Sequence, residues 1–220
     1  MTREWEKHKK FLMTGHWHVH TTLTDGDSTV MEYSRKAADL HIPLIVFTEH
    51  VRKELTYDYN ELLDQINIAR KAFPELIILS GCEAKVLPDG SLDCPQWILD
   101  KANYKLFAFH SFPPEVEIYF NALCKVIQLG QCDAWAHPGL FFKENPTIFL
   151  TDEKLKTVFK HIEQNNILIE KNTKYNLPPQ RWLETIKGMN ANIQFVHGGD
   201  IHNIEMLSIP DSSLDIRKIK

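Results

Sequence analysis

The chain has 220 residues, of which 43% are hydrophobic and 25% are charged, and its formal net charge is −4. These proportions are ordinary for a globular protein and exclude a disordered chain, a collagen-like fibre and a coiled-coil rod. No apolar run approaches the roughly 18 residues that span a bilayer, and the negative charge disfavours a protein that coats nucleic acid.

The N-terminal residues 1–10 are rich in charge and contain no apolar signal core, so secretion is not expected. The four cysteines form no CxxC pair, and a chain of this length does not need disulfides to stabilise its core. We therefore predict reduced thiols and a cytoplasmic protein. One count is unusual, because 11 histidines outnumber 9 glycines.

Short apolar runs alternate with amphipathic stretches along the chain. The runs are rich in β-branched and aromatic residues, which is typical of buried parallel strands. In chain order, the predicted strands are a run ending at His20, then 43–47, 76–79, 104–109, a short run ending at His137, 167–169 and 193–196. The predicted helices between them are 30–40, 60–73, 115–129, 151–165 and 179–189.

This alternation predicts one α/β domain with a parallel sheet built from βαβ units, either an open doubly wound sheet or a barrel. No linker or change of composition divides the chain. We therefore predict a single domain over residues 1–209 and a loosely attached polar tail over residues 210–220.

Histidine or a carboxylate follows almost every predicted strand, at a spacing of roughly one βαβ unit. In a parallel barrel, such positions converge at one mouth. His18 and His20 are two residues apart and therefore share one face of a strand, so both imidazoles can reach one ion. The full candidate set is His18, His20, Asp25, His50, Glu83, His110, His137, Asp200 and His202.

Imidazole and carboxylate ligands without thiolate suit Zn, Mn or Fe better than Ca or Mg. Nine ligands exceed the four or so that one ion takes, so two or three ions with a bridging carboxylate are predicted. A single histidine at a strand end is usually only a solvated or hydrogen-bonded side chain. Seven strand ends in register are much harder to explain in that way.

The sequence resembles the polymerase-and-histidinol-phosphatase (PHP) family of metallohydrolases. The motifs that carry the resemblance are HWHVHTTLTDG, FTEH, GCEAKV, FAFH, DAWAHPGL and GGDIH, in this order over residues 16–203. The resemblance implies a distorted TIM-like (β/α)7 barrel with three divalent metal ions at its mouth, most simply zinc, with Mn or Fe as alternatives. One departure is Glu49, where the family more often has aspartate before the histidine.

The resemblance also implies how the ions are shared. The first ion would be held by His18, His20, Glu83 and Asp200. The second would be held by Glu83, His110 and His137, and the third by Asp25, His50 and His202. Glu83, Asp200 and His202 are the implied catalytic residues. Ions near Glu83 would lower the pKa of a shared water and neutralise the charge that develops on a phosphoryl group.

Residues for substrate binding are less clearly marked. Arg52, Asn172 and Lys174 follow predicted strands on the side of the mouth, and we predict that they contact substrate. Asn172 and Glu170 match the E-x-N segment of the family, which suggests contacts to substrate or support of the ligands. His16 shares the parity of His18 and His20, so we predict that it lies deeper in the barrel in a structural role.

The leading functional hypothesis is hydrolysis of a phosphate monoester of a small molecule, as by a histidinol phosphatase. The alternatives are a phosphodiesterase or exonuclease acting on nucleotides or nucleic-acid ends, an inactive metal-binding regulatory domain, and an amidohydrolase. The expected partner is a small phosphorylated substrate, with no membrane and no extended nucleic acid. The oligomeric state is open.

Overall fold

The computed structural model of the chain describes residues 3–210. The strands are β1 (His16–Val19), β2 (Leu44–Val51), β3 (Ile77–Val86), β4 (Leu92–Asp93), β5 (Tyr104–Ala108), β6 (Ala134–Trp135), β7 (Leu168–Asn172) and β8 (Phe195–Gly198). The helices are α1 (Glu4–Lys7), α2 (Val30–Asp39), α3 (Tyr59–Ala72), α4 (Gln96–Lys101), α5 (Val116–Leu129), α6 (Leu140–Glu144), α7 (Asp152–Gln164) and α8 (Gln180–Gly188). Short 3-10 turns occupy Lys9–Phe11 and Ile204–Met206.

Seven strands form one parallel sheet in the order β1-β2-β3-β5-β6-β7-β8, and β4 pairs antiparallel with the end of β3. The sheet curls until its two edges meet. Val19 forms a parallel bridge to Ile201, and the His20 N–H donates to the Ile201 carbonyl at 2.8 Å. The predicted α/β fold, a distorted (β/α)7 barrel in a single domain, is confirmed.

The five predicted helices all form, each within one residue of its expected ends. Their first turns explain where two of them begin. Thr29 and Glu32 make a reciprocal capping box at α2, and the Thr151 hydroxyl caps α7 by accepting from the Lys154 N–H. The sequence did not predict the short elements α4, α6 and β4.

Two apolar clusters lie on opposite sides of the sheet. The barrel interior is filled by alternate strand residues such as Leu44, Val46, Leu106 and Leu168, and residues of the N-terminal segment pack with them. The larger cluster joins the outer strand face to the helices. Cys82 belongs to this outer cluster and is fully buried, as expected for a packed thiol.

Two strands run further than predicted and carry candidate ligands inside them. β2 continues through His50 to Val51, and β3 continues past Glu83 to Val86. The apolar runs in the sequence stop earlier because the inward positions become polar. Outward positions such as Val51 and Ala84 remain apolar and keep the strands packed, whereas the outward Glu49 is a buried carboxylate.

The predicted position of His16 inside the barrel is wrong, although the residue is buried and packed, as its predicted structural role requires. The β1–β2 register changes between His16, opposite Ile45, and Val19, opposite Phe47, so β1 carries one extra residue there. Such a bulge re-aims the side chains that precede it. His16 therefore leaves the face of His18 and packs edge-on against His197, with ring centroids 5.0 Å apart.

No helix within residues 3–210 is long and apolar enough to cross a membrane. The predicted tail, 210–220, lies outside the described residues except for Pro210, and it stays a prediction.

Candidate metal centre

Glu83 occupies the middle of the barrel mouth and is completely buried. Its two carboxylate oxygens face imidazole nitrogens from four different strands or strand ends. The distances to Glu83 are 2.8 Å from His50 Nδ1, 2.9 Å from His137 Nε2, 3.3 Å from His110 Nε2, 3.6 Å from His18 Nε2 and 3.8 Å from His20 Nε2. One carboxylate thus lies within 4 Å of five imidazoles.

Asp200 forms one wall of the same site. It follows β8 with a positive φ of 46°, a strained conformation for a residue that is not glycine. Its Oδ1 lies 3.5 Å from His18 Nε2, His20 Nε2 and His202 Nδ1. Barrel closure brings this residue beside β1, as the sequence spacing predicted.

Asp25 lies at the outer rim, on the loop after β1. Its Oδ2 is 3.2 Å from His202 Nε2 and 3.3 Å from His50 Nε2, and its side chain is half exposed. Three groups of side chains have donor atoms close enough to hold an ion. They are His20, Asp25, His50 and His202; His18, His20 and Glu83; and His50, Glu83 and His110.

The structure brings all nine predicted ligands to one site. The ligand groups differ in detail from the predicted sharing, because His20 also reaches the outer group and His50 also faces Glu83. The assignment of each ligand to an ion stays a prediction.

Unpaired polar atoms indicate that the donors suit bound cations. Four buried atoms have no hydrogen-bond partner among residues 3–210, namely His20 Nδ1, His50 Nδ1, Glu83 Oε2 and His110 Nε2. Although His50 Nδ1 and Glu83 Oε2 are 2.8 Å apart, they are not aligned as donor and acceptor. Each unpaired buried group costs about 1–3 kcal/mol. A divalent ion among these atoms would remove that cost, and the nitrogen-and-oxygen donor set suits Zn, Mn or Fe.

In the absence of an ion, the carboxylates of the site favour the protonated, positively charged form of several of its histidines. Burial disfavours the charged form of His18, but the carboxylates of Glu170 and Glu83 outweigh burial and raise the pKa of this imidazole well above its ordinary value. Burial likewise opposes protonation of His50 and His137, while the close Glu83 carboxylate raises the pKa of each. Conversely, burial would raise the pKa of Glu83, but His110 and His18 hold it well below its usual range.

Glu170 supports the ligands from behind. Its Oε1 lies 2.6 Å from His18 Nδ1, and its Oε2 accepts from the backbone N–H of His137. The first contact fixes the His18 tautomer that presents Nε2 to the site, and the second holds His137, whose φ is +31°. Gly198 makes room for this carboxylate, since a Cβ there would lie 1.8 Å from Glu170 Oε1.

Asn172 is buried against the same carboxylate. Its Nδ2 donates to Glu170 Oε2 at 3.2 Å, and its Oδ1 accepts from the Tyr175 N–H at 3.0 Å. The amide therefore orients Glu170 and the turn after β7. Its predicted contact with substrate stays a prediction.

The two predicted cations lie on different sides of the mouth. Lys174 Nζ is 2.8 Å from Asp200 Oδ2 and 3.3 Å from His202 Nδ1, within the site itself. Arg52 lines a cavity of about 270 Å³ beside Asp25 and His50, and its Nη1 donates to the Val51 carbonyl at 2.7 Å.

The sequence analysis noted Glu49 only as a departure from the family pattern and assigned it no role. This residue is completely buried on β2, and it accepts from the N–H of Thr21 and the hydroxyl of Thr24 on the loop that carries Asp25. The signals in the sequence were its position directly before His50 and the acidic residue that the family usually has there.

A seven-stranded parallel barrel with a histidine-and-carboxylate cluster at its mouth defines a class of metal-binding barrel proteins. The sequence pattern of the PHP domain matches residues 16–174, which is more than half of the chain. The chain therefore belongs to the PHP domain family, as its motifs suggested.

Known proteins with similar sequences include a probable phosphatase of Aliivibrio fischeri (strain MJ11), 26% identical over 159 residues, or 70% of this chain and 61% of that protein. Another is the DNA polymerase/3'-5' exonuclease PolX of Bacillus subtilis (strain 168), 26% identical over 204 residues, or 88% of this chain and 35% of that protein. The chain thus spans less than two thirds of the length of either relative.

A similar fold occurs in the crystal structure of histidinol phosphate phosphatase from Lactococcus lactis, in complex with zinc, L-histidinol and phosphate. The TM-score is 0.68 at 18% identity, and the match covers 87% of each chain. This likeness supports the barrel fold.

Proposed function

We propose that the protein hydrolyses a phosphate monoester of a small molecule, in the manner of a histidinol phosphatase, with three divalent ions at the barrel mouth. Zinc is our first choice, with Mn or Fe as alternatives. The observation that carries the proposal is the buried Glu83 carboxylate within 4 Å of five imidazoles, with Asp25 and Asp200 on either side. Membership of the PHP domain family supports it.

Bound divalent ions would supply the positive charge that makes a water acidic and neutralises phosphoryl oxygens in the transition state. The protein's own part is to hold and order the groups around this chemistry. Glu83 and Asp200 both lie within 4 Å of His18 Nε2 and His20 Nε2, and they would orient the attacking water. His202 lies between Asp200 and Asp25 at the rim, where substrate enters.

Lys174 and Arg52 are the proposed phosphate-binding residues. Burial opposes the charge of Lys174, but its hydrogen bond and ion pair with Asp200 raise the pKa of the amine, so it remains a cation. A phosphoryl group arriving beside Asp200 would accept a hydrogen bond from this ammonium. Arg52, in the cavity next to Asp25, would bind the phosphate or the remainder of the substrate.

A phosphodiesterase or exonuclease is the second candidate, because the match to PolX extends over 88% of this chain. The negative net charge of the chain disfavours binding along extended nucleic acid but not cleavage of a nucleotide. We also propose a cytoplasmic location, which is supported by free thiols at all four cysteines.

The test compares hydrolysis of an aryl phosphate monoester and the matching diester by the metal-loaded protein, followed by a panel of small phosphorylated metabolites. We expect the monoester to be cleaved faster. Faster cleavage of the diester would favour the second candidate, and cleavage of neither ester nor any metabolite would contradict a phosphoesterase.

A further inference from the structure

Glu49 is a fully buried carboxylate that the proposed reaction does not use. It lies on β2 between Thr48 and His50. The alternate residues Phe47 and Val51 belong to the cluster on the helix side of the sheet. Glu49 therefore points away from the barrel interior, and its function must lie on the outer side of the mouth.

On that side, Glu49 contacts the loop that carries Asp25. The Thr21 N–H donates to Glu49 Oε1 at 2.9 Å, and the Thr24 hydroxyl donates to Glu49 Oε2. Thr24 Oγ1 also lies 3.3 Å from Asp25 Oδ1. A hydroxyl has only one proton to donate, and Thr24 donates it to Glu49, so Thr24 restrains Asp25 through the backbone of the loop and not by a hydrogen bond to the Asp25 carboxylate.

The loop is compact enough to transmit this restraint. The Gly26 N–H donates to the Thr21 carbonyl at 2.9 Å, and a Cβ at Gly26 would lie 2.2 Å from the His20 carbonyl oxygen. The far side of the loop is held separately, because the Asp27 N–H donates to the His202 carbonyl at 2.8 Å. Glu49 is thus the anchor of the half of the loop that precedes Asp25.

We propose that Glu49 is a positioning residue that holds the Asp25 carboxylate in place to complete the outer ligand group with His20, His50 and His202. The inference rests on the proposed function only in requiring an ion at this outer position. Aspartate would be one methylene shorter and would reach the two loop contacts less well.

Two variants test the inference through metal content rather than activity. Glu49→Ala removes both loop contacts, and Thr24→Val removes only the hydroxyl at a partly exposed position where the fold is easily kept. The exposed Thr22 makes no side-chain hydrogen bond within residues 3–210, so Thr22→Val is the matched control in the same loop. Each protein is stripped with chelator and titrated with Zn²⁺ at buffered free concentration.

We expect wild type and Thr22→Val to bind three ions per chain. In Thr24→Val and Glu49→Ala the last ion should bind about 10- to 100-fold more weakly, the usual effect of removing a group that orients a ligand, while the other two keep their affinity. The double variant should be no weaker than Glu49→Ala, because both changes break one chain of contacts.

If both single variants bind three ions with wild-type affinity, the inference is wrong and the proposed function is unaffected. An equal loss of all three ions would also overturn it, since that result would indicate general damage. Fewer than three ions in the wild type would refute the three-ion site itself.

Discussion

Replacing Gly198 with alanine should disable the metal centre without touching a ligand. A Cβ at this position would lie 1.8 Å from Glu170 Oε1, whereas ordinary van der Waals contact begins near 3.4 Å, so the carboxylate must move by about 1.6 Å. Its 2.6 Å contact with His18 Nδ1 cannot survive such a shift. His18 would then lose the partner that fixes its tautomer and its orientation.

The expected size of the effect follows from that lost contact. Losing an orienting carboxylate typically lowers metal affinity by about 10- to 100-fold. Crowding a packed interior costs about 1–3 kcal/mol, which lowers the Tm of a domain of this size by about 2–12 °C. Zn²⁺ titration and thermal unfolding of the stripped protein measure the two effects separately.

The control is Gly188→Ala at the end of α8, where a Cβ would meet nothing within 4 Å. It should keep wild-type metal affinity and an equal or higher Tm, because alanine favours helix. Glu170→Gln should reproduce the loss of affinity, since its amide cannot accept from both His18 and His137. Wild-type zinc affinity in Gly198→Ala would refute the role assigned to Glu170.

Three further predictions concern the ligands and the substrate. Glu83→Gln should abolish hydrolysis of an aryl phosphate while circular dichroism shows that the fold survives; an active variant would disprove the bridging role. The raised pKa values of His18, His50 and His137 keep these residues more protonated at neutral pH than free histidine. Zn²⁺ binding at pH 7 should therefore release at least one proton per chain, seen by calorimetry in buffers of different ionisation enthalpy, and affinity should fall about tenfold per released proton for each unit decrease in pH. Proton uptake would contradict this account. Lys174→Met should raise KM for the aryl phosphate by about 10-fold or more, the value of a charged hydrogen bond, and an unchanged KM would exclude phosphate binding by this residue.

The convergence of the candidate ligands at one site could be predicted because it follows from periodicity. In a parallel barrel each strand delivers its last inward residues to one mouth, so His and carboxylate residues at one βαβ spacing are brought together. His110 and Asp200, for example, are 90 positions apart in the chain. Strand order alone was enough to predict that they lie at the same mouth.

The residues that support the ligands could not be predicted in this way. Glu170 acts on His18, which is 152 positions away, and only the β7–β8–β1 closure brings the two together. Glu49 acts on a loop whose path depends on the turn at Gly26. The bulge that turns His16 out of the barrel leaves no mark in the alternation of HWHVH. Such features depend on atomic packing rather than on pattern.

We propose that three ions at this mouth make the protein a phosphomonoesterase. The most direct test strips the protein, reloads it with Zn²⁺ or Mn²⁺ in steps, and measures ions per chain by elemental analysis together with aryl phosphate hydrolysis in the same samples. We predict that activity is absent in the stripped protein and reaches its maximum near three ions per chain. Full activity in the stripped protein would contradict this proposal. So would a fully loaded protein that contains one ion per chain or none.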